Sequence, residues 1–352
     1  MSTRIAYLGP QGTFTEAALW QFVSQGGIQA RKHVDGICVL DDADGGAGRD
    51  AAAIVVPVPV TSPQEAIDAV RNGRADYACV AIENSVDGPV TPTFDALASG
   101  FLAPESQGAA PGGASEAHGG VQIYAELDLE IRFAIMVRPG TTYAQCRTIS
   151  THPVAYQQVK GWLAQHIPEH EFVPASSNAA AAGLVAQGQV DIAAAPAPAA
   201  YLHGLEILAD QIADNAQART RFVLVGPTGT VPPRTGHDRT AVVFTLKNEP
   251  GSLVTALTEF AVRGVDLSRI ESRPIQQGLG TYRFHVDLHG HIHDALVAEA
   301  LQALYVRCEN MTFLGSWPAG SHDVVPPSGV DHKRYQRAQE WVSFHQGTHP
   351  IA

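Results

Sequence analysis

Asp214-Asn215-Ala216-Gln217-Ala218-Arg219-Thr220-Arg221-Phe222-Val223-Leu224-Val225 is a polar loop that runs into a short apolar stretch. An apolar run this short, bounded by polar residues, reads as a buried strand. Yet a hydroxyl, a guanidinium and an aromatic ring open it. Upstream, strand and helix patterns alternate: residues 152–165 helical, 171–175 strand, 179–187 helical, 191–195 strand. That alternation predicts parallel α/β layers, with residues 220–225 as the closing strand.

Working outward, residues 4–8 read as a strand, Gly9-Pro10-Gln11-Gly12-Thr13-Phe14-Thr15 as a turn, and the following residues to about 23 as a helix. A stretch rich in Gly, Ala and Asp spans 26–63, with an apolar run at 51–60. Residues 63–72 are helical, and a strand at 76–82 leads into Glu83-Asn84-Ser85-Val86-Asp87-Gly88. Glycine-rich 108–120 reads as a disordered loop, and 121–138 as one or two strands. Residues 227–236, with Pro232-Pro233, form a linker. Beyond it come strand 240–246, helix 251–263, strands 265–275 and 280–288, helix 295–304 and strand 308–314, a ferredoxin-like order. The tail from 318 is polar, with a helical pattern at 333–344.

The 352 residues suffice for two or three domains. A hydrophobic fraction of 45% against 16% charged is a globular composition. The net charge of -12 argues against nucleic-acid binding, and means that local groups must draw in any anionic substrate. Cys38, Cys79, Cys146 and Cys308 are scattered, as reduced thiols of a cytoplasmic protein would be. Arg4 and Glu16 interrupt any leader-like run. Pro196 and Pro198 break the Ala-rich stretch 190–209, so neither membrane insertion nor secretion is expected.

Three helix starts carry anion-binding character. Thr13 is placed to cap the first. Thr151-His152-Pro153 opens another, with Thr151 as cap and Gln157-Gln158 along it, and Ser176-Ser177-Asn178 opens the third. Converging on one cleft, they would suit a dicarboxylate. His289, His291 and His293 alternate across a Gly290 turn without a Cys or a carboxylate pair, so no metal site is expected.

Taken in order, the turn at 9–15, Glu83-Asn84-Ser85, Thr151-His152-Pro153 with Gln158, Ser177-Asn178 and Thr220-Arg221-Phe222 resemble the signatures of prephenate dehydratases. Two positions depart: Val159 stands where the family more often has cysteine, and Asn178 where it commonly has a hydroxyl. The resemblance implies a catalytic domain of two α/β lobes, like type II periplasmic binding proteins. It makes Thr220 the catalytic hydroxyl, and Thr13, Phe14, Asn84, Ser85, Thr151, His152, Gln158, Ser177, Asn178, Asn215, Arg221 and Phe222 substrate-binding residues. Strand alternation adds a competing reading: if Thr220 faces the cleft, Phe222 shares its side and Arg221 points away, toward a structural carboxylate. The chemistry implied is loss of carbon dioxide and water from prephenate to give phenylpyruvate, with no metal or organic cofactor.

Pro250-Gly251-Ser252-Leu253 and Ile270-Glu271-Ser272-Arg273-Pro274 resemble the phenylalanine-binding motifs of an ACT domain. That implies an effector site for L-phenylalanine at Gly251, Ser252, Leu253, Glu271, Ser272, Arg273 and Pro274, in a homo-oligomer, dimer or tetramer, joined through ACT domains. The expected boundaries are 1–226 catalytic (lobe 1 about 4–140 and 213–226, lobe 2 about 141–212), 227–238 linker, 239–317 ACT and 318–352 tail. No preceding stretch suits a fused chorismate mutase, so a monofunctional enzyme is expected. Arogenate dehydratase and a non-catalytic amino-acid sensor are the rival readings.

Overall fold

β1 (Ser2–Leu8) buries Ile5, Ala6 and Tyr7 on both faces, as a central parallel strand must. The computed structural model describes residues 2–25, 31–34, 37–39, 54–99, 120–275, 282–320 and 332–346. Residues 108–119 and much of the stretch 26–63 fall outside that range, so the loop expected at 108–120 lies almost wholly outside the described residues. In the first sheet β1 lies between β4 (Ile54–Val60) and β5 (Tyr77–Asn84), parallel to both. The remaining strands are β2 (Arg31–Val34), β3 (Ile37–Val39), β6 (Gly88–Pro89), β7 (Val121–Glu130) and β13 (Arg219–Pro227), in the order β2-β3-β4-β1-β5-β13-β7 with β6 beside β5. Three helices follow these strands: α1 (Phe14–Ser24), α2 (Pro63–Arg71) and α3 (Thr91–Leu97). α1 lays Ala18, Leu19 and Phe22 onto Ile5, Tyr7 and Phe222. Each large side chain so buried contributes about 1.5–3 kcal/mol.

The second sheet holds β8 (Ala134–Val137), β9 (Thr148–Thr151), β10 (Glu171–Pro174), β11 (Ile192–Ala195) and β12 (Glu206–Ala209), in the order β10-β9-β11-β8-β12. Its helices are α4 (Pro153–His166), α5 (Asn178–Ala186) and α6 (Ala197–His203). Alanines on α5 and β11, with nothing beyond Cβ, pack the helix closely onto the strand. Here the lobe boundary shifts from the sequence expectation. All four residues of β8 are buried and pair with β11 and β12, so the second lobe begins at 134 and not 141. The chain crosses between the sheets at 131–133 and again at 210–218.

Residues 229–237 carry no regular structure, and contacts divide the chain there: residues 1–121 and 125–228 form one compact unit, 122–124 and 229–352 another. The second unit comprises β14 (Asp238–Thr245), α7 (Ser252–Ala261), β15 (Leu267–Pro274), β16 (Tyr282–His289), α8 (Ala295–Arg307) and β17 (Asn310–Pro318), followed by α9 (His332–His345). Its antiparallel sheet, β15-β16-β14-β17, has the ferredoxin-like order, with Val242, Phe244, Phe260, Leu301 and Leu304 in the core. Among the described residues no helix is long and apolar enough to cross a membrane.

Candidate active site

Thr220 is the second residue of β13 and pairs with Asn84 at the end of β5. The Asn84 carboxamide oxygen accepts the N–H groups of Val86 (2.8 Å) and Asp87 (3.3 Å), which fixes which end of the amide is which. Its Nδ2 therefore donates to Thr220 Oγ1 at 3.2 Å. The Thr220 hydroxyl accepts there and keeps its own proton to give. Ser85 extends the pairing: its N–H donates to Arg219 O, and its Oγ accepts Arg219 N, both at 2.9 Å.

One residue along, Arg221 lies on the other face, 3.4 Å from Glu83 and 3.6 Å from Asp128. Phe222 returns to the Thr220 side but is only 2% exposed, its ring filling the core beneath α1. The substrate-binding expectation for these two is therefore revised: Arg221 is taken up by carboxylates, and Phe222 has almost no surface to offer.

The turn before α1 is similarly committed. Thr13 Oγ1 donates to Leu8 O (3.2 Å) and accepts Glu16 N (3.4 Å), while Gly12 N–H goes to Glu16 Oε2 at 2.5 Å. Burial, with the Glu16 charge adding to it, pushes the Tyr7 phenol well above its ordinary pKa, so it stays protonated. The Phe14 ring meets Phe133 edge-on at 5.3 Å and packs against the cores of both lobes. Gly12 has φ +84°, and a Cβ there would come within 2.9 Å of Leu202 on α6. The two lobes touch at this turn.

In the second lobe the cap of α4 differs from expectation. Thr151 ends β9, and its hydroxyl lies 2.6 Å from Ala194 O, so it is held by the sheet. His152 is the cap, its Nδ1 accepting Val154 N at 3.3 Å. In the neutral ring that leaves the proton on Nε2. His152 N donates to Asn178 Oδ1 (3.1 Å), with Thr151 Oγ1 3.2 Å from the same oxygen. The Asn178 amide nitrogen thus has no partner among the described residues. Ser177 caps α5, accepting Ala180 N at 3.0 Å and retaining its hydroxyl proton.

Gln158 joins the lobes. It is 6% exposed, donates through Nε2 to Asp87 Oδ2 at 3.3 Å, and its main-chain carbonyl accepts Asp214 N at 2.7 Å. Its Oε1 is buried without a partner among the described residues. Asn215 is exposed and turns its own oxygen onto Gln217 N at 3.0 Å. Thr220 Oγ, Ser177 Oγ and Asn178 Nδ2 thus each keep a hydrogen to donate, as His152 Nε2 does in the neutral ring, and among the described residues Asn84 is the side-chain partner of Thr220. Two contributors escaped the sequence reading. Asp87 carried only the signal of its place two residues past Ser85, and Asp214 that of opening the loop to Thr220.

In the second unit Gly251, Ser252 and Thr255 line a cavity of about 690 Å³ with Lys247, Glu249 and Arg307. Leu253 packs against the core instead of lining it. Glu271, Ser272, Arg273 and Pro274 lie on β15, one of the two edge strands, and do not line this cavity. Of the histidine triplet, His291 is buried, its Nε2 3.0 Å from Pro232 O and its Nδ1 accepting His293 N.

Comparison with known proteins follows the same division. The profile of the family described as prephenate dehydratase matches residues 47–230, and that of the ACT domain residues 240–304. The turn at 9–15 precedes the matched stretch. The chain is 50% identical over 340 residues to the prephenate dehydratase of Corynebacterium glutamicum, covering 97% of this chain and 95% of that one. Against that of Mycobacterium tuberculosis it is 46% identical, covering 97% and 93%. The crystal structure of Arthrobacter aurescens prephenate dehydratase in complex with L-Phe aligns with a TM-score of 0.78 at 36% identity, covering 98% of this chain and 100% of that one. A protein described as a quorum quenching acylase aligns with a TM-score of 0.69 at 28% identity, covering 90% and 98%.

Proposed function

The chain belongs to the prephenate dehydratase family, a family of hydro-lyases, and we propose that Thr220 is its catalytic hydroxyl, held and oriented by Asn84. In the reaction the bond between the ring carbon and its carboxylate breaks and its electron pair enters the ring. The carbon–oxygen bond to the ring hydroxyl breaks in turn, and a proton makes the departing oxygen water. Aromatisation supplies the driving force, and the barrier lies in expelling the oxygen. A threonine hydroxyl is a weak acid, so Thr220 acts through a hydrogen bond that strengthens as charge builds on the leaving oxygen.

The observation that carries this reading is the one-way hydrogen bond from Asn84 Nδ2 to Thr220 Oγ1. It leaves the hydroxyl as a donor with no base beside it among the described residues, which suits an expelled oxygen and not an activated nucleophile. Asn178, His152 and Ser177 supply donors for the carboxylates, and Gln158 spans the lobes beside them. Residues 1–226 are the catalytic domain and 239–317 the regulatory one.

L-phenylalanine, the ligand of the Arthrobacter structure, is the proposed effector here, bound at the Gly251–Ser252 cavity. β15 is an edge strand, and such edges offer backbone groups to a second copy. A homo-oligomer joined there would bring Glu271 to Pro274 to the effector of its neighbour. The scattered thiols suit a cytoplasmic enzyme.

The test is phenylpyruvate formation from prephenate at neutral pH by wild type and Thr220→Ala, beside an enzyme-free control and arogenate. Turnover of prephenate, lost in the variant, supports the assignment. Faster turnover of arogenate moves the substrate to the amino analogue, and phenylalanine binding without turnover of either leaves a sensor.

A further inference from the structure

We propose that Asp214 is a positioning residue for this reaction, acting through Gln158; the inference rests on the cleft being the prephenate site. The carboxylate lies against the middle of α4. Its Oδ2 accepts the N–H of Gly161 at 2.7 Å and its Oδ1 the N–H of Trp162 at 2.9 Å. A helix ordinarily keeps interior amides for its own carbonyls, so a carboxylate seated there is a built feature of the helix. The main chain closes the contact in the other direction, with Asp214 N donating to Gln158 O at 2.7 Å. One residue thus meets α4 through three hydrogen bonds, all within about one turn of Gln158.

Gly161 makes the seat possible. A Cβ at that position would fall 2.7 Å from Asp214 Oδ1 and 3.0 Å from the carboxyl carbon. Asp214 itself is exposed, so its contribution is one of orientation and not of burial.

The circuit that results returns to the reacting hydroxyl. From Asp214 the chain reaches Thr220 in six residues. Ala218 N bonds to Asn215 O (3.1 Å), and both crossings are tied together by Ile131 N to Ala218 O (2.9 Å) and Ile212 N to Phe133 O (3.0 Å). From Thr220 the path goes to Asn84 at 3.2 Å, along three residues to Asp87, and across to Gln158 at 3.3 Å. From Gln158 it closes on Asp214. Without the Asp214 link, the Gln158 side chain is positioned across the cleft by its 3.3 Å contact to Asp87, the longest in the circuit.

The experiment is a double-variant cycle on the full-length enzyme with Asp214→Ala and Gln158→Ala, read as kcat and KM for prephenate. Asp214→Ala alone lowers kcat by about 10- to 100-fold with a smaller change in KM, as misplacement of a positioned group does. In the Gln158→Ala background the same change lowers kcat by no more than about twofold, because the group it acts through is gone. Amide exchange at Gly161 and Trp162 quickens in Asp214→Ala, and Asp214→Asn, which keeps one acceptor, falls between. If Asp214→Ala does not fold, Gly161→Ala replaces it in the cycle, since its methyl intrudes on the same carboxylate. Losses that multiply in the double variant, or unchanged exchange at the two amides, overturn the positioning role while leaving the function intact. A wild type that turns over no prephenate overturns both.

Discussion

Asn84 donates its side-chain amide to Thr220 at 3.2 Å, and because the Asn84 oxygen is occupied by two backbone N–H groups the direction of that bond cannot reverse. The pair therefore distinguishes a missing amide from a reversed one. Asn84→Ala removes the orienting donor. Asn84→Asp keeps the turn but sets an acceptor opposite the hydroxyl, which then spends its hydrogen bond on the carboxylate and not on the leaving oxygen. Thr220→Ala is expected to lower kcat by about 10²- to 10⁴-fold. Asn84→Asp should fall below Asn84→Ala, with Thr220→Ser retaining the most activity. Steady-state kinetics on prephenate rank the four, and Asn84→Asp above Asn84→Ala would contradict the donor assignment.

Arg221 sits between Glu83 and Asp128 with its side chain 18% exposed. Removing it leaves the Glu83 and Asp128 carboxylates without this cation, one residue along the strand from Thr220, and adds to the negative charge that an anionic substrate meets. Arg221→Ala should cost about 1–3 kcal/mol of stability. It should also raise KM for prephenate, more so at low salt, where repulsion is screened least. Urea denaturation and KM at two ionic strengths check this. A KM independent of salt would mean that the arginine's influence stops at the fold.

How much of this was legible beforehand depends on what each residue answers to. Residues set by local rules were readable: Thr13 and Ser177 cap their helices as their types predict, and β13 follows from its apolar run. The short strand β9 was not, since Thr-Ile-Ser-Thr has no length of pattern and becomes a strand only between β10 and β11. Because that strand claims Thr151, the cap passes to His152. The clamp of Asp214 on Gly161 spans 53 residues, and no window of sequence links the two. The recognisable triplet was similarly partial. Alternation along a strand foresaw that Arg221 would turn away from Thr220, but burial of Phe222 depends on α1, which lies some two hundred residues earlier.

His285 gives the second unit an acid limit. It is fully buried, and burial first, then the guanidinium groups of Arg269 and Arg283, pushes its pKa from 6.5 down to about 3. The folded ring stays neutral over a range where the unfolded chain takes up a proton. Its contribution is thus fully present above about pH 6.5 and lost as pH falls toward 3, at about 1.4 kcal/mol per pH unit. His285→Gln should flatten the pH dependence of stability by about one proton between pH 4.5 and 6.5 relative to wild type. Denaturant midpoints across that window provide the comparison, and parallel curves for the two proteins would exclude a neutral buried imidazole.

Gly251 offers the sharpest test of the effector site. It caps α7 with φ +85°, a conformation that costs residues other than glycine about 1–2 kcal/mol. A Cβ there would meet nothing within 4 Å among the described residues, so a methyl group clashes with none of them and projects into open space. Any loss in Gly251→Ala therefore has two separable sources, backbone strain and occupied ligand volume. Strain lowers the melting temperature without phenylalanine, whereas lost volume lowers the rise in melting temperature that phenylalanine produces. If the effector binds in this cavity, the phenylalanine concentration for half-maximal inhibition should rise at least about tenfold, equivalent to about 1.4 kcal/mol of binding. A variant whose unliganded melting temperature falls while its response to phenylalanine stays at the wild-type level would place the effector elsewhere, and β15 would be the next surface to probe.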